Sequence, residues 1–206
     1  MSQWSSETIT VHEYYAPPKT NGRSSTPPPA PKDSQVPKDL RPTILAARKH
    51  PNADEVVKQV NDFFLENWPF RTEKHRKRFV DEGYAWFVCI NCPLSLDERM
   101  HWGCRLLTTG FLIDDLLDRM SVEDGVAHNM KVIECARGNL LPDRHIPAQF
   151  IMFDLFESMR EVDKQLADEL LEPTIDFLVA QADGNRMKPM NLKEYFDYRD
   201  ADLGKG

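Results

Sequence analysis

From Asn52 onward, apolar residues recur at spacings of three and four, and no stretch alternates with a period of two, which predicts an all-α chain. Val56, Val57, Val60, Phe63 and Phe64 mark a first helix that ends before Trp68-Pro69. Thr72 is placed to cap a second, over about Glu73 to Phe87. Ser95 with Glu98 three residues on reads as a capping box that starts a central helix at Leu96, about six turns long. Ser121 to His128 reads as a polar loop, with a short helix over Asp124 to Arg137 closed by Gly138. Pro147 opens a long helix whose core stripe is Met152, Phe156, Met159, Val162, Leu166 and Leu170. Pro173 is expected to kink or break that helix, leaving Phe177 just past the break. Asn191 and Glu194 cap a last helix carrying Tyr195, Tyr198, Arg199 and Asp202.

One segment departs from ordinary amphipathic patterning. Leu106 to Met120, LLTTGFLIDDLLDRM, is apolar on nearly every side yet carries Asp114, Asp115 and Asp118, all within one helical turn. No Lys or Arg stands three or four residues before them, and the cluster lies at a helix C-terminus, where partial negative charge already gathers. Carboxylates crowded there make sense if a cation belongs to the site. Oxygen ligands favour a hard ion, Mg²⁺ before Zn²⁺, and Mg²⁺ commonly completes its shell with substrate phosphates, which points to a phosphorylated or diphosphorylated ligand. Stepping back along the same face, Asp118, Asp114, Phe111, Leu107, Cys104 and Met100 form one stripe, an acidic mouth above an apolar wall. The plainer reading is that Phe111, Leu107 and Cys104 are core and the acids a solvated helix end.

Composition narrows the function classes. In 206 residues, 41% hydrophobic content supports one globular domain, and a net charge of −7 argues against a nucleic-acid or anionic-membrane partner. No run of apolar residues is long enough for a membrane span, and no secretory leader pattern opens the chain, so a cytoplasmic protein is expected. Cys89, Cys92, Cys104 and Cys135 sit in apolar contexts and read as reduced core residues, with no second ligand pair to make Cys89-x-x-Cys92 a zinc site. Residues 1–42 hold eight of the fifteen prolines and read as a disordered Pro-rich tail preceding a helical domain over 43–206. The charged run EKHRKR from Glu73 reads as a solvated helical face rather than a phosphate patch.

The motif FLIDDLLD, followed in order by RGNLLPDR (137–144), FDLFESMR (153–160), LLEPTIDF (170–177) and YRDADLGK (198–205), resembles the fungal class I terpene cyclases. That resemblance implies an all-α terpenoid synthase bundle, incomplete here, that ionises farnesyl diphosphate with Mg²⁺ and closes the resulting cation to a cyclic sesquiterpene. It implies Asp114 as first metal ligand with Asp115 and Asp118 in support, and Arg199 as diphosphate sensor, with Asp202 as its linker and Leu203 as the backbone reporter of binding. Phe111 and Phe177 match aromatic positions lining the family's cavity. Asn91 stands where near relatives carry tyrosine, which alters the cavity contour.

The same resemblance leads one to expect a second metal motif, N-D-x-x-S-x-x-x-E, and a C-terminal Arg-Tyr pair, neither of which occurs in the sequence. A truncated cyclase of weak or no activity is therefore expected. The alternatives are a chain-elongating prenyltransferase, which calls for a second D-D-x-x-D, and a non-catalytic helical remnant or interaction subunit that oligomerises through uncovered helix faces.

Overall fold

The computed structural model describes residues 48–184 and 189–202, with backbone alone for 200–202. The expected Pro-rich tail and Leu203 lie outside the described residues. Seven helices follow in order: α1 (Ala53–Asn67), α2 (Glu73–Glu82), α3 (Tyr84–Asn91), α4 (Asp97–Leu117), α5 (Val122–Ala136), α6 (Pro147–Ala182) and α7 (Leu192–Asp202). Among the described residues there is no strand, in agreement with the all-α expectation. Helix α6 is the spine: α4, α5 and α7 all pack on it, while α1 and α3 cover the other side of α4. Phe64, Met100, Ile113, Ile133, Met152, Phe156 and Leu178 are fully buried between them.

Local signals hold where local bonds suffice. The Thr72 hydroxyl accepts from the His75 N–H at 3.2 Å and caps α2. Asn191 and Glu194 form the reciprocal box that caps α7, each side chain accepting from the other's N–H at 3.0 Å. At the end of α5, the Gly138 and Asn139 amides bond back to the Cys135 and Glu134 carbonyls with Gly138 at φ 78°, a left-handed closure that glycine adopts without a Cβ penalty.

Several expectations are corrected. The second helix does not run to Phe87: Gly83, at φ 66°, divides it into α2 and α3. Ser121 to His128 is not a loop, because the Ser121 hydroxyl accepts from the Asp124 N–H at 3.1 Å and starts α5 at Val122. The Ser95–Glu98 box does not form. Helix α4 begins at Asp97, and the Ser95 carbonyl instead accepts from Nε2 of fully buried His50 at 3.1 Å. Nδ1 of that ring accepts from the Asn52 N–H, which places the proton on Nε2, and the His50 N–H donates to the Cys89 carbonyl at 2.8 Å. One histidine thus ties the starts of α1 and α4 to the end of α3.

The largest correction concerns α6. The chain stays helical through Pro173, and the backbone leaves the helical region at Asp163 (φ −151°, ψ 84°), so Phe177 lies within a helix rather than past a break. Asp163 caps the second half, its Oδ1 accepting from the Leu166 N–H at 3.1 Å, while Oδ2 accepts from Arg99 of α4 at 3.1 Å. The core stripe therefore continues from Met159 to Ala167, Leu171, Ile175 and Leu178, and the expected Val162, Leu166 and Leu170 are exposed. Asp163→Ala is expected to lower stability by about 1–2 kcal/mol, most of it from the lost cap because the Arg99 pair is a third exposed. Urea unfolding would measure it, and an unchanged midpoint would contradict the capping role.

Candidate functional site

The acidic stripe on α4 runs from the core to the surface. Met100 and Cys104 are buried, Leu107 is half-buried, Phe111 is 36% exposed, Asp114 is half-buried and Asp118 is exposed at the helix end. The carboxylates thus form a rim at the end of the helix rather than an interior cluster. Asp114 and Asp118, four residues apart, share the stripe's face, and Asp115 turns about 100° from Asp114. Among the described residues, no three His, Cys, Asp or Glu side chains converge as a metal cage.

Asp115 joins a different group. With Leu112, Leu116 and Arg119 it lines a cleft of about 100 Å³ between α4 and the α1–α2 segment, whose other walls include Arg71, Arg78 and Glu82. Partial burial, then the Glu82 carboxylate, push the Asp115 carboxyl above its ordinary range, against the opposing pull of Arg78 and Arg119. The charged run of α2 is otherwise the solvated face expected, with one addition: Arg76 donates to the Leu65 carbonyl at 2.7 Å in the last turn of α1.

The two aromatic positions are held by different neighbours. The Phe111 ring stacks on Tyr84 of α3, centroids 4.7 Å apart at 23°. Phe177, half-buried on α6, packs against Gly110, one turn before Asp114. A Cβ at Gly110 would stand 2.9 Å from the Phe177 ring, so glycine there permits the close approach of α6. Gln181 adds a hydrogen bond from Nε2 to the Gly110 carbonyl at 3.1 Å. Gly110→Val is expected to displace Phe177 and destabilise the chain by about 2 kcal/mol, since overpacked cores lose 1–3 kcal/mol. A thermal melt would test this, and an unaltered Tm would mean that α6 does not press on Gly110.

Arg199 is half-buried on α7, which packs on α6. Asp202 ends α7 with its side chain outside the described residues, as is Leu203. Two of the five quoted motifs form a structural joint rather than a site. Arg144 makes a two-pronged pair with Asp154 at 2.5 and 2.9 Å, and Arg160 donates to the Ala136 carbonyl at 2.6 Å, satisfying the end of α5. The four cysteines are free thiols, and Cys92 is exposed rather than core. No described helix is long and apolar enough to cross a membrane.

No family model matches the chain. It is 49% identical over 164 residues to aristolochene synthase of Aspergillus terreus, covering 80% of this chain and 51% of that protein. It is likewise 49% identical over 166 residues to (+)-aristolochene synthase TS1 of Penicillium expansum, covering 81% and 50%. The crystal structure of aristolochene synthase from Penicillium roqueforti superposes with a TM-score of 0.72 at 45% identity, over 79% of this chain and 56% of that one.

Over about four-fifths of its own length the chain is homologous to the fungal aristolochene synthases. It spans about half the length of the curated relatives it matches. Sequence reasoning passed over Tyr84, Glu82 and His50. Gly83 was a readable signal for the start of α3, whereas the Tyr84–Phe111 stack joins residues too far apart for any local pattern to expose.

Proposed function

We propose that this chain carries the ionising face of a sesquiterpene cyclase, which converts farnesyl diphosphate to a cyclic sesquiterpene and diphosphate. The observation that carries the reading is the α4 stripe, an apolar wall at Met100, Cys104 and Leu107 rising through Phe111 to the carboxylates of Asp114 and Asp118. Two carboxylates on one face at a helix end suit a hydrated Mg²⁺, which takes one or two carboxylates and leaves positions for water and phosphate oxygens. Asp114 and Asp118 would hold the ion, whose charge would offset that of the diphosphate leaving group. Asp114 is the principal ligand in this reading, with Asp118 beside it and Asp115 holding the helix end toward α2.

The chain's own groups do the rest. Arg199 receives the diphosphate, since a planar guanidinium clamps two phosphate oxygens, with Asp202 linking it and the Leu203 backbone reporting occupancy. Phe111 and Phe177 offer ring faces to an allylic cation, worth about 2 kcal/mol when desolvated. We place the protein in the cytoplasm, in keeping with its free thiols.

A second reading, a non-catalytic partner of another helical chain, draws support from the exposed stripe Val162, Leu166 and Leu170 on α6. Incubating the purified chain with farnesyl diphosphate and Mg²⁺ and extracting volatiles for gas chromatography separates the two. A Mg²⁺-dependent cyclic sesquiterpene supports the cyclase. Absence of any terpene from a folded helical chain overturns it in favour of the partner reading.

A further inference from the structure

The proposed reading makes Phe111 part of the wall facing the cation, but a ring that is 36% exposed is not oriented by burial alone. Something must hold it, and the structure supplies one stacked contact for it: the Tyr84 ring, nearly parallel at 4.7 Å. Tyr84 is itself held at both ends. Its ring contacts Phe79 of α2, centroids 6.2 Å apart, and its hydroxyl donates to the Glu82 carboxylate. Glu82 in turn accepts from Arg78 at 2.6 Å. Gly83 in the left-handed conformation folds the chain back between Glu82 and Tyr84, so acid and phenol meet two residues apart.

We propose that Tyr84 is a positioning residue that sets the orientation of the Phe111 ring at the acidic rim, with Glu82 as its anchor. Resting on the reading of Phe111 as cavity wall, this assigns to residues outside the acidic motif a part in deciding which face of the cation is shielded, and hence which product forms. The hydroxyl fixes the in-plane position of the Tyr84 ring, the ring fixes the tilt of Phe111, and the Glu82–Arg78 pair keeps the acceptor in place. Plain packing would need only the ring. Positioning needs the hydroxyl as well.

The test uses the full chain with 4-fluorophenylalanine installed at position 111 and ¹⁹F NMR as the readout, which requires no turnover. Tyr84→Leu is expected to move the fluorine resonance strongly, because the stacked ring current is gone, and Tyr84→Phe and Glu82→Ala to move it part-way in the same direction. Circular dichroism checks that each variant is folded, and Tyr84→Phe guards against simple collapse because it keeps the ring. A resonance unmoved by Tyr84→Leu in a folded chain overturns the proposal, as does one moved by Tyr84→Leu but not by either anchor variant. Where farnesyl diphosphate is turned over, Tyr84→Phe is expected to change the product ratio with KM unchanged, and an unchanged ratio overturns the product-setting part. A wild-type chain without turnover counts against the cyclase reading alone, since the fluorine result still decides whether Tyr84 and Glu82 hold the ring.

Discussion

Asp114→Asn is expected to abolish Mg²⁺-dependent consumption of farnesyl diphosphate, by at least about a hundredfold, while leaving the helical fold intact. The magnitude follows from the proposed role of Asp114 as a ligand to the ion that would offset the leaving group's charge, since losing one preorganised electrostatic contribution costs about 10²–10³ in rate. The fold survives because Asp114 is half-buried at a rim and the amide is nearly isosteric with the carboxylate. A second readout does not depend on turnover. Mg²⁺ bound to the folded state alone raises Tm through mass action, and Asp114→Asn is expected to erase that rise. Asp115→Asn is expected to retain most of it, because Asp115 faces the cleft shared with Arg78, Glu82 and Arg119. Equal losses in both variants would contradict the division of roles along α4.

Phe156→Ala is expected to destabilise the chain by about 3–5 kcal/mol, the range for deleting a fully buried aromatic ring. The site has little freedom to collapse: it sits on α6 between Met152 and Met159, where α4 and α5 both pack, and the Arg160 guanidinium lies 5.7 Å from the ring centre. Leu166→Ala, on the same helix but on its exposed face, is expected to cost less than about 1 kcal/mol. Chemical denaturation of the two variants side by side tests the face that α6 buries. The periodicity of the sequence predicts a substantial cost for both, so a large loss in Leu166→Ala would restore the stripe through Val162, Leu166 and Leu170.

That contrast shows where local reasoning stops. Residues 159, 162, 166 and 170 continue an apolar period as plausibly as 159, 163, 167 and 171, and Leu is a better core residue than Asp or Ala. What selects the second course is Asp163, whose carboxylate caps the following turn and reaches Arg99, 64 residues away. Pro173 carries the stronger local signal for a break. Leu171, Ile175 and Leu178 are nevertheless buried around it, and the backbone stays helical across the missing hydrogen bond. The Ser95–Glu98 box fails where the chain turns out of α3, because the Ser95 N–H that Glu98 would accept from donates to the Cys92 carbonyl, while His50, 45 residues earlier, fixes the Ser95 carbonyl.

The sequence by itself determined the all-α class, the caps at Thr72 and Asn191, the acidic end of α4 and the resemblance to the fungal class I terpene cyclases. Each rests on bonds or spacings spanning a few residues, or on motifs read as text. The tertiary structure alone decided where α6 bends, that Asp115 parts company with Asp114 and Asp118, and that Phe111 leans on Tyr84 while Phe177 presses on Gly110. Those outcomes depend on pairs separated by tens of residues, whose meeting is set by how whole helices bury their faces against one another.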